Sequence, residues 1–225
     1  MTTGQFHPVK TRTLSDEVAS QLREAIRSGA VSSGARLVEQ EIAEQLGVSR
    51  VPVREAIQSL VEEGLLRKLP HRGAFVYLPT RSEIDEISSL RAVMEQFVVE
   101  RVMGRWTAAY EVTMRAIVDE MRQGLASGNM QIVFEQDYAF HRTLWEIADH
   151  AILLEIISSL RSRIGRMLYE ATCSITLDLA AGHVAGHDYM IDLLSGQDVA
   201  AAKAEITIHI MRAKERIFTY CRLAD

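Results

Sequence analysis

The sequence predicts a mainly α chain of two domains, with three short helices and a β-hairpin over residues 1–78 and an all-α helical bundle over residues 79–225. All four prolines, Pro8, Pro52, Pro70 and Pro79, fall before residue 80, so the long remainder lacks the residue that most disrupts helix interiors. That remainder repeats apolar residues at helical period, with capping residues ahead of the runs. In the first part, Pro70-His71-Arg72-Gly73 forms a turn signal between two short apolar segments, as a hairpin requires.

In the first helix, Ser15 is placed to cap, Asp16 and Glu17 sit in the first turn, and Val18, Leu22 and Ile26 share one face ahead of Gly29. A second helix over residues 38–45 turns Val38, Ile42 and Leu46 inward, and Gly47 supplies the turn into a third over 49–63. Ser49 is the expected cap there, and Pro52 falls in the first turn, where a missing N–H costs nothing. Val53, Ile57, Leu60 and Val61 make its buried stripe. Strands over 65–69 and 74–78 follow. Three helices and then a hairpin make a winged helix-turn-helix.

The second domain opens with Thr80 and Glu83 at capping-box spacing, and Ile84, Ile87, Leu90, Met94, Phe97 and Val98 continue as its apolar face. Further helices are expected over 107–125, 129–148, 152–171, 183–194 and 198–223. The seven glycines beyond Pro79, among them Gly104, Gly128, Gly182 and Gly196, are expected to mark helix ends. A helical bundle is the natural packing of such segments.

With 48% hydrophobic and 24% charged residues, the composition excludes a disordered chain and leaves both domains a core. No apolar run approaches the ~20 residues of a membrane span, and residues 1–10 lack the apolar stretch of a secretory signal. A cytoplasmic chain with no membrane partner is expected, and Cys173 and Cys221, which lack metal-type spacing, read as ordinary thiols. The net charge of -5 argues against a nucleic-acid binder until its distribution is considered. Residues 1–80 carry 10 Lys and Arg against 9 Asp and Glu, whereas residues 81–225 carry 15 against 21. Arg50, Arg54, Arg67, Lys68 and Arg72 crowd into the stretch that would face DNA.

Arg50 and Arg54 lie four residues apart in the first turns of the third helix, opposite the Val53, Ile57 and Leu60 stripe. The second helix of a helix-turn-helix reads the major groove with its N-terminal side chains, so this pair can meet base edges or phosphates. An isolated pair would more simply be a solvated face. The surrounding run decides: Gly34-Ala35-Arg36-Leu37-Val38-Glu39, then Ile42-Ala43-Glu44-Gln45-Leu46-Gly47-Val48-Ser49-Arg50-Val51-Pro52-Val53-Arg54-Glu55-Ala56, then Leu60 and Glu63-Gly64-Leu65, closely resembles the GntR family of bacterial regulators. The resemblance implies DNA contacts by Arg36, Arg50 and Arg54, a helix started by Ser49, and a wing whose backbone nears the minor groove at Gly73. Val51 departs from the family, which more often has Thr there. His71 and Arg72 at the wing tip are either a solvated turn or phosphate contacts.

Asp137 and His141, four apart, share one face of a helix, which alone reads as a surface pair. Together with His187 and His209, 22 residues apart, they resemble the FCD-type sensing domain of the FadR-like branch, in which D-x-x-x-H and two later histidines hold a divalent metal. Three imidazoles and a carboxylate suit Zn²⁺ or Ni²⁺, with Mn²⁺ or Fe²⁺ possible. His183 competes with His187 as the ligand, and His150 follows Asp149 where relatives often carry Asn-Pro. Arg91, in Leu90-Arg91-x-x-Met94-Glu95, resembles the family's L-R-x-x-L-E motif and would clamp an effector carboxylate beside the metal; otherwise it is an exposed Arg paired with Glu95. The expected function is a sequence-specific regulator, commonly a repressor in this family, in which a homodimer meets an inverted-repeat operator on double-stranded DNA and a small organic acid biases the switch. The alternative from another class is a metalloenzyme using the His-rich site with the N-terminal module as a tether, although neither an H-E-x-x-H motif nor an evident general base accompanies that site.

Overall fold

A computed structural model describes residues 13–70 and 72–224, so His71 lies outside the described residues. The chain divides into two compact units between Tyr77 and Leu78.

In the first unit, α1 (Leu14–Ser28) begins at Thr13, whose hydroxyl accepts from Asp16 N at 3.2 Å while Asp16 Oδ2 accepts from Thr13 N at 2.8 Å. The cap is therefore Thr13 rather than Ser15. The Ser15 hydroxyl, two residues too late, meets Thr13 Oγ1 at 2.8 Å. Gly29 ends the helix at φ 82°, a left-handed conformation that a side chain would disfavour. The helix-turn-helix is α2 (Glu39–Leu46) and α3 (Arg50–Glu62), joined through Gly47 at φ 65°. Ser49 occupies the N-cap with extended backbone, as expected, yet its exposed hydroxyl makes no capping bond. α2 buries Ala43, while Ile42 and Leu46 are only partly covered.

The wing is a three-stranded antiparallel sheet in the order β1 (Arg36–Leu37), β3 (Gly73–Val76), β2 (Leu66–Leu69), with Arg36 opposite Phe75 and Lys68 opposite Ala74. β1 was not expected, because two residues are too few to show alternation. Val18, Leu22, Ile26, Val53, Ile57, Leu60, Leu66 and Val76 form the core beneath the helices. The buried side of α3 leaves Arg50 and Arg54 on the outside.

The second unit contains α4 (Arg81–Met103), α5 (Ala108–Ala126), α6 (Met130–Ile147), α7 (Ala151–Ser174), α8 (Leu177–Ser195) and α9 (Val199–Tyr220). The Thr80 and Glu83 capping box forms, with Thr80 Oγ1 accepting from Glu83 N at 3.2 Å and Glu83 Oε2 accepting from Thr80 N at 2.8 Å. α8 starts earlier than the expected 183, because Thr176 caps it and Asp178 joins the first turn. Gly104, Gly128 and Gly196 do lie at helix ends, but Gly124, Gly165, Gly182 and Gly186 lie inside helices.

α4 packs on α9, α5 on α6 and α8, and α7 on α6 and α9. Two apolar clusters result, one around Phe140, Trp145 and Ile191 and the other around Phe134, Ile164 and Ile217. α6 contributes to both, and Asp137 lies on it between Phe134 and Phe140. α4 departs from its expected face: Leu90 and Phe97 are 49% and 41% exposed, while Ser88, Arg91 and Glu95 are buried. No described helix is long and apolar enough to cross a membrane.

Gly124 allows α5 to meet the next helix closely. A Cβ there would stand 2.8 Å from Ile132 Cβ and Cγ2 and 3.2 Å from Asn129 O. Alanine gains about 1 kcal/mol in helix propensity, but overpacking costs about 1–3 kcal/mol. The stiff, branched Ile132 and the backbone oxygen favour the cost, so Gly124→Ala is expected to lower stability in urea unfolding by about 1 kcal/mol or more, despite the better helix former.

Candidate nucleic-acid interface and metal centre

The outer face of α3 is organised by one carboxylate of α2. Glu39 accepts from Arg50 Nη2 at 3.2 Å and from Arg54 Nη2 and Nε at 3.1 and 3.2 Å. The donation from Arg54, followed by that from Arg50, holds Glu39 below the ordinary carboxylate range against the opposing effect of burial. Both arginine side chains remain more than half exposed, at 55% and 59%. Glu39 therefore orients two cations toward solvent without burying them.

Arg36, Arg50, Arg54, Lys68 and Gly73 line one surface depression, so the sheet and α3 bring most of the sequence-selected residues together. Gly73 has φ 94°, and an added Cβ would lie 3.5 Å from Arg36 Nε. The positive φ is what calls for glycine there, since an added Cβ would meet Arg36 at ordinary contact distance. Arg72 stands apart from that depression, its guanidinium 5.8 Å from the Phe75 ring centroid. The bridging role of Glu39 was missed, although an acid 11 and 15 residues before the two arginines carries no periodic signal.

Within the second unit, α6 supplies Asp137 and His141, α8 supplies His187, and α9 supplies His209. One ligand atom from each lies within 4.8 Å of all the others. His141 Nε2 and His209 Nε2 face each other at 3.2 Å, and His187 Nε2 lies 3.4 Å from Asp137 Oδ1. His183, one turn before His187, brings its Nε2 to 3.1 Å from the same oxygen. Both candidates, His183 and His187, reach Asp137: His187 is in the group of four whose ligand atoms all lie within 4.8 Å of one another, while His183 comes closer to Asp137 Oδ1. His187 lies in the middle of α8 rather than opening it.

The donor chemistry fits a divalent cation. His187 Nδ1 is 2.8 Å from the His183 carbonyl oxygen, which can only accept, so a ring hydrogen sits on Nδ1 and Nε2 is the atom turned toward Asp137. That Nε2 stands 3.4 Å from a carboxylate oxygen and has no hydrogen-bond partner. Burial brings the His183 imidazole down to about 4 and pushes His209 well below the usual histidine range, despite Asp137 nearby, so both are neutral at neutral pH. Burial alone would raise the Asp137 carboxyl, but His183, His187 and His209 around it hold it well below its ordinary range. Neutral imidazoles and an ionised carboxylate are the forms that bind metal.

An ionised support surrounds this group. Glu95, fully buried, accepts from Arg91 Nη2 at 3.0 Å and from Trp145 Nε1 at 2.9 Å, and stands 3.6 Å from His141 Nδ1. Burial opposes ionisation of Glu95, but His141, Arg91 and Trp145 bring its carboxyl down to about 2. Arg91 is therefore paired with Glu95, as one sequence reading held, but inside the protein at 2% exposure rather than on its surface. Arg161 of α7 completes the support, with Nη2 3.5 Å from Asp137 Oδ2. It was missed, although a charge between Ile157 and Ile164 on the buried stripe of α7 was a readable signal. His150 lies outside the cluster, its Nδ1 accepting from Leu153 N at 3.2 Å to cap α7.

Comparison with known proteins gives two family matches, "Bacterial regulatory proteins, gntR family" over residues 14–76 and "FCD domain" over residues 86–212. The gluconate operon transcriptional repressor of Bacillus licheniformis is 37% identical over 64% of this chain and 59% of its own length. The transcriptional regulator McbR of Escherichia coli is 27% identical over 84% of this chain and 86% of its own. Among solved structures, McbR shares the fold with a TM-score of 0.79 at 23% identity, covering 92% of this chain and 98% of its own. A transcriptional regulator of Rhodococcus sp. RHA1 aligns with a TM-score of 0.76 at 25% identity, over 92% and 99% of the two chains.

The Glu95 arrangement gives a stability prediction. Arg91→Met removes the cation nearest a fully buried carboxylate, and breaking such a pair costs about 3–5 kcal/mol. A urea midpoint equal to that of the unsubstituted chain would show that Trp145 and His141 suffice to hold Glu95.

Proposed function

The chain belongs to the GntR family of bacterial regulatory proteins, with an FCD domain, and is a DNA-binding transcription regulator rather than an enzyme; we propose that it is a repressor whose operator affinity answers to a small carboxylate bound beside a metal. The observation that carries this reading is the convergence of Asp137, His141, His187 and His209 within one buried space. Zn²⁺ or Ni²⁺ is the cation best suited to three nitrogens and one oxygen. When bound, it would supply a Lewis-acid position for a carboxylate, and Arg91 would steady that carboxylate through Nε, which is buried without a hydrogen bond. Glu95 keeps the Arg91 guanidinium fixed, and the His183 carbonyl keeps the His187 tautomer fixed.

On the DNA side, Arg50 and Arg54 leave Glu39 for base edges or phosphates, while Arg36 and the wing at Gly73 follow the adjacent minor groove. The uncommitted Ser49 hydroxyl is free to donate to a phosphate, and Arg72, with His71 beside it in sequence, adds charge at the wing. A homodimer in the cytoplasm would place two such surfaces on an inverted repeat. An effector that prefers one arrangement of the chain changes operator affinity by the same factor that the operator changes effector affinity.

Two substitutions separate the two sites. Against a duplex selected from a random pool with the unsubstituted protein, Arg54→Ala is expected to lower affinity by about 1–3 kcal/mol and flatten sequence preference. Unchanged affinity and preference would remove Arg54 from the reading face. His209→Ala is expected to leave that duplex bound while zinc content, measured by elemental analysis after dialysis, falls about 10-fold or more. Full zinc retention would contradict the assigned centre.

A further inference from the structure

The histidine cluster shares its space with three guanidiniums set against two carboxylates. A small internal cavity of about 10 Å³ is lined by Arg91, Arg161 and Arg216 as well as by Asp137, His141 and His209. Glu95 and Asp137 are the carboxylates set against these guanidiniums. A divalent cation at the cluster raises the local excess further, and buried charge without a counter-charge is costly.

The donors themselves point the same way. Arg91 Nε and Arg161 Nη2 are buried without a hydrogen bond, on residues only 2% and 4% exposed. Arg91 Nη2 is committed to Glu95, whereas the Arg161 guanidinium lies over the Phe134 and Tyr138 rings at 5.3 and 5.4 Å and meets Asp137 Oδ2 at 3.5 Å. Orphan buried donors are rare in native structures, and a guanidinium fork matches a planar oxyanion. Thr172, buried on α7 and lining the same cavity, adds a hydroxyl.

We propose that the effector is a small organic anion with two acid groups, one directed to the metal and Arg91, the other held by Arg161 with Arg216 and Thr172. This rests on the metal and carboxylate reading above and extends it to a substrate class. A cavity of about 10 Å³ admits no more than about one water, so the diacid must widen it. Arg216 is the half-buried wall that can move. It lines both this cavity and a groove of about 780 Å³ along α8 and α9, whose lining also includes His183 and His209. Drawing Arg216 onto the second acid group gives the ligand a contact that exists in only one arrangement of the bundle, as a switch requires.

Isothermal titration of the zinc-loaded full chain with acids matched in carbon number tests this: propionate against malonate, butyrate against succinate, valerate against glutarate. At one length or more, the diacid is expected to bind about 10-fold or more tightly than its monoacid partner. On chain reloaded one-to-one with zinc, Arg161→Gln should erase that difference by lowering diacid affinity about 10-fold more than monoacid affinity. Equal binding of mono- and diacid at every length would overturn the two-acid inference and leave the metal and carboxylate reading standing, as would an equal loss of both in Arg161→Gln. Failure of every acid to bind would overturn both. Should Arg161→Gln fail to fold, the matched pairs on the unsubstituted chain decide alone.

Discussion

The second unit depends on how a buried carboxylate can sit among neutral imidazoles. Asp137 Oδ1 has His183, His187 and His209 Nε2 atoms at 3.1, 3.4 and 3.7 Å. The Nδ1 hydrogen of His187 is given to the His183 carbonyl, which leaves its Nε2 turned toward Asp137. Arg161 at 3.5 Å offsets part of the charge on the far oxygen but cannot enter the space between the rings. A small divalent cation fits that space chemically. Around it stand Glu95, buried beside His141 and accepting from Arg91 and Trp145, and the two apolar clusters that share α6.

The first unit handles charge in the opposite manner. Arg50 and Arg54 are both paired with Glu39 and both more than half exposed, so water screens the contacts and they are readily exchanged for phosphate. Glu39 works as a placeholder that keeps two long side chains from scattering over many rotamers. The two sites thus differ in solvent access for a physical reason. A DNA face must form and release contacts in water, whereas a metal centre gains selectivity from a fixed, desolvated donor set.

Most of the fold was legible because it follows from local rules. The Thr80 and Glu83 box, the Gly47 turn and the Val53, Ile57 and Leu60 stripe are readable from spacing alone, and all three formed. What escaped depends on tertiary context. Thr13 displaced Ser15 as a cap because Asp16 answers it reciprocally, and β1 exists only because Phe75 and Ala74 are there to pair with it. At the candidate metal centre, the resemblance picked out four residues that do converge, and His183 was weighed as a rival ligand, but the resemblance gave no notice of Arg161, Trp145 or Arg216. Arg91 and Glu95 show why: an i,i+4 ion pair looks the same in sequence whether the helix face carrying it meets water or core.

X-ray absorption at the zinc edge of the one-to-one loaded protein is the most direct test of the metal centre. The donor set at Asp137, His141, His187 and His209 predicts a first shell of nitrogen and oxygen at about 2.0–2.1 Å, with the multiple scattering of several imidazoles. A sulfur shell near about 2.3 Å, or an oxygen shell without imidazole scattering, would place the ion elsewhere and contradict the account.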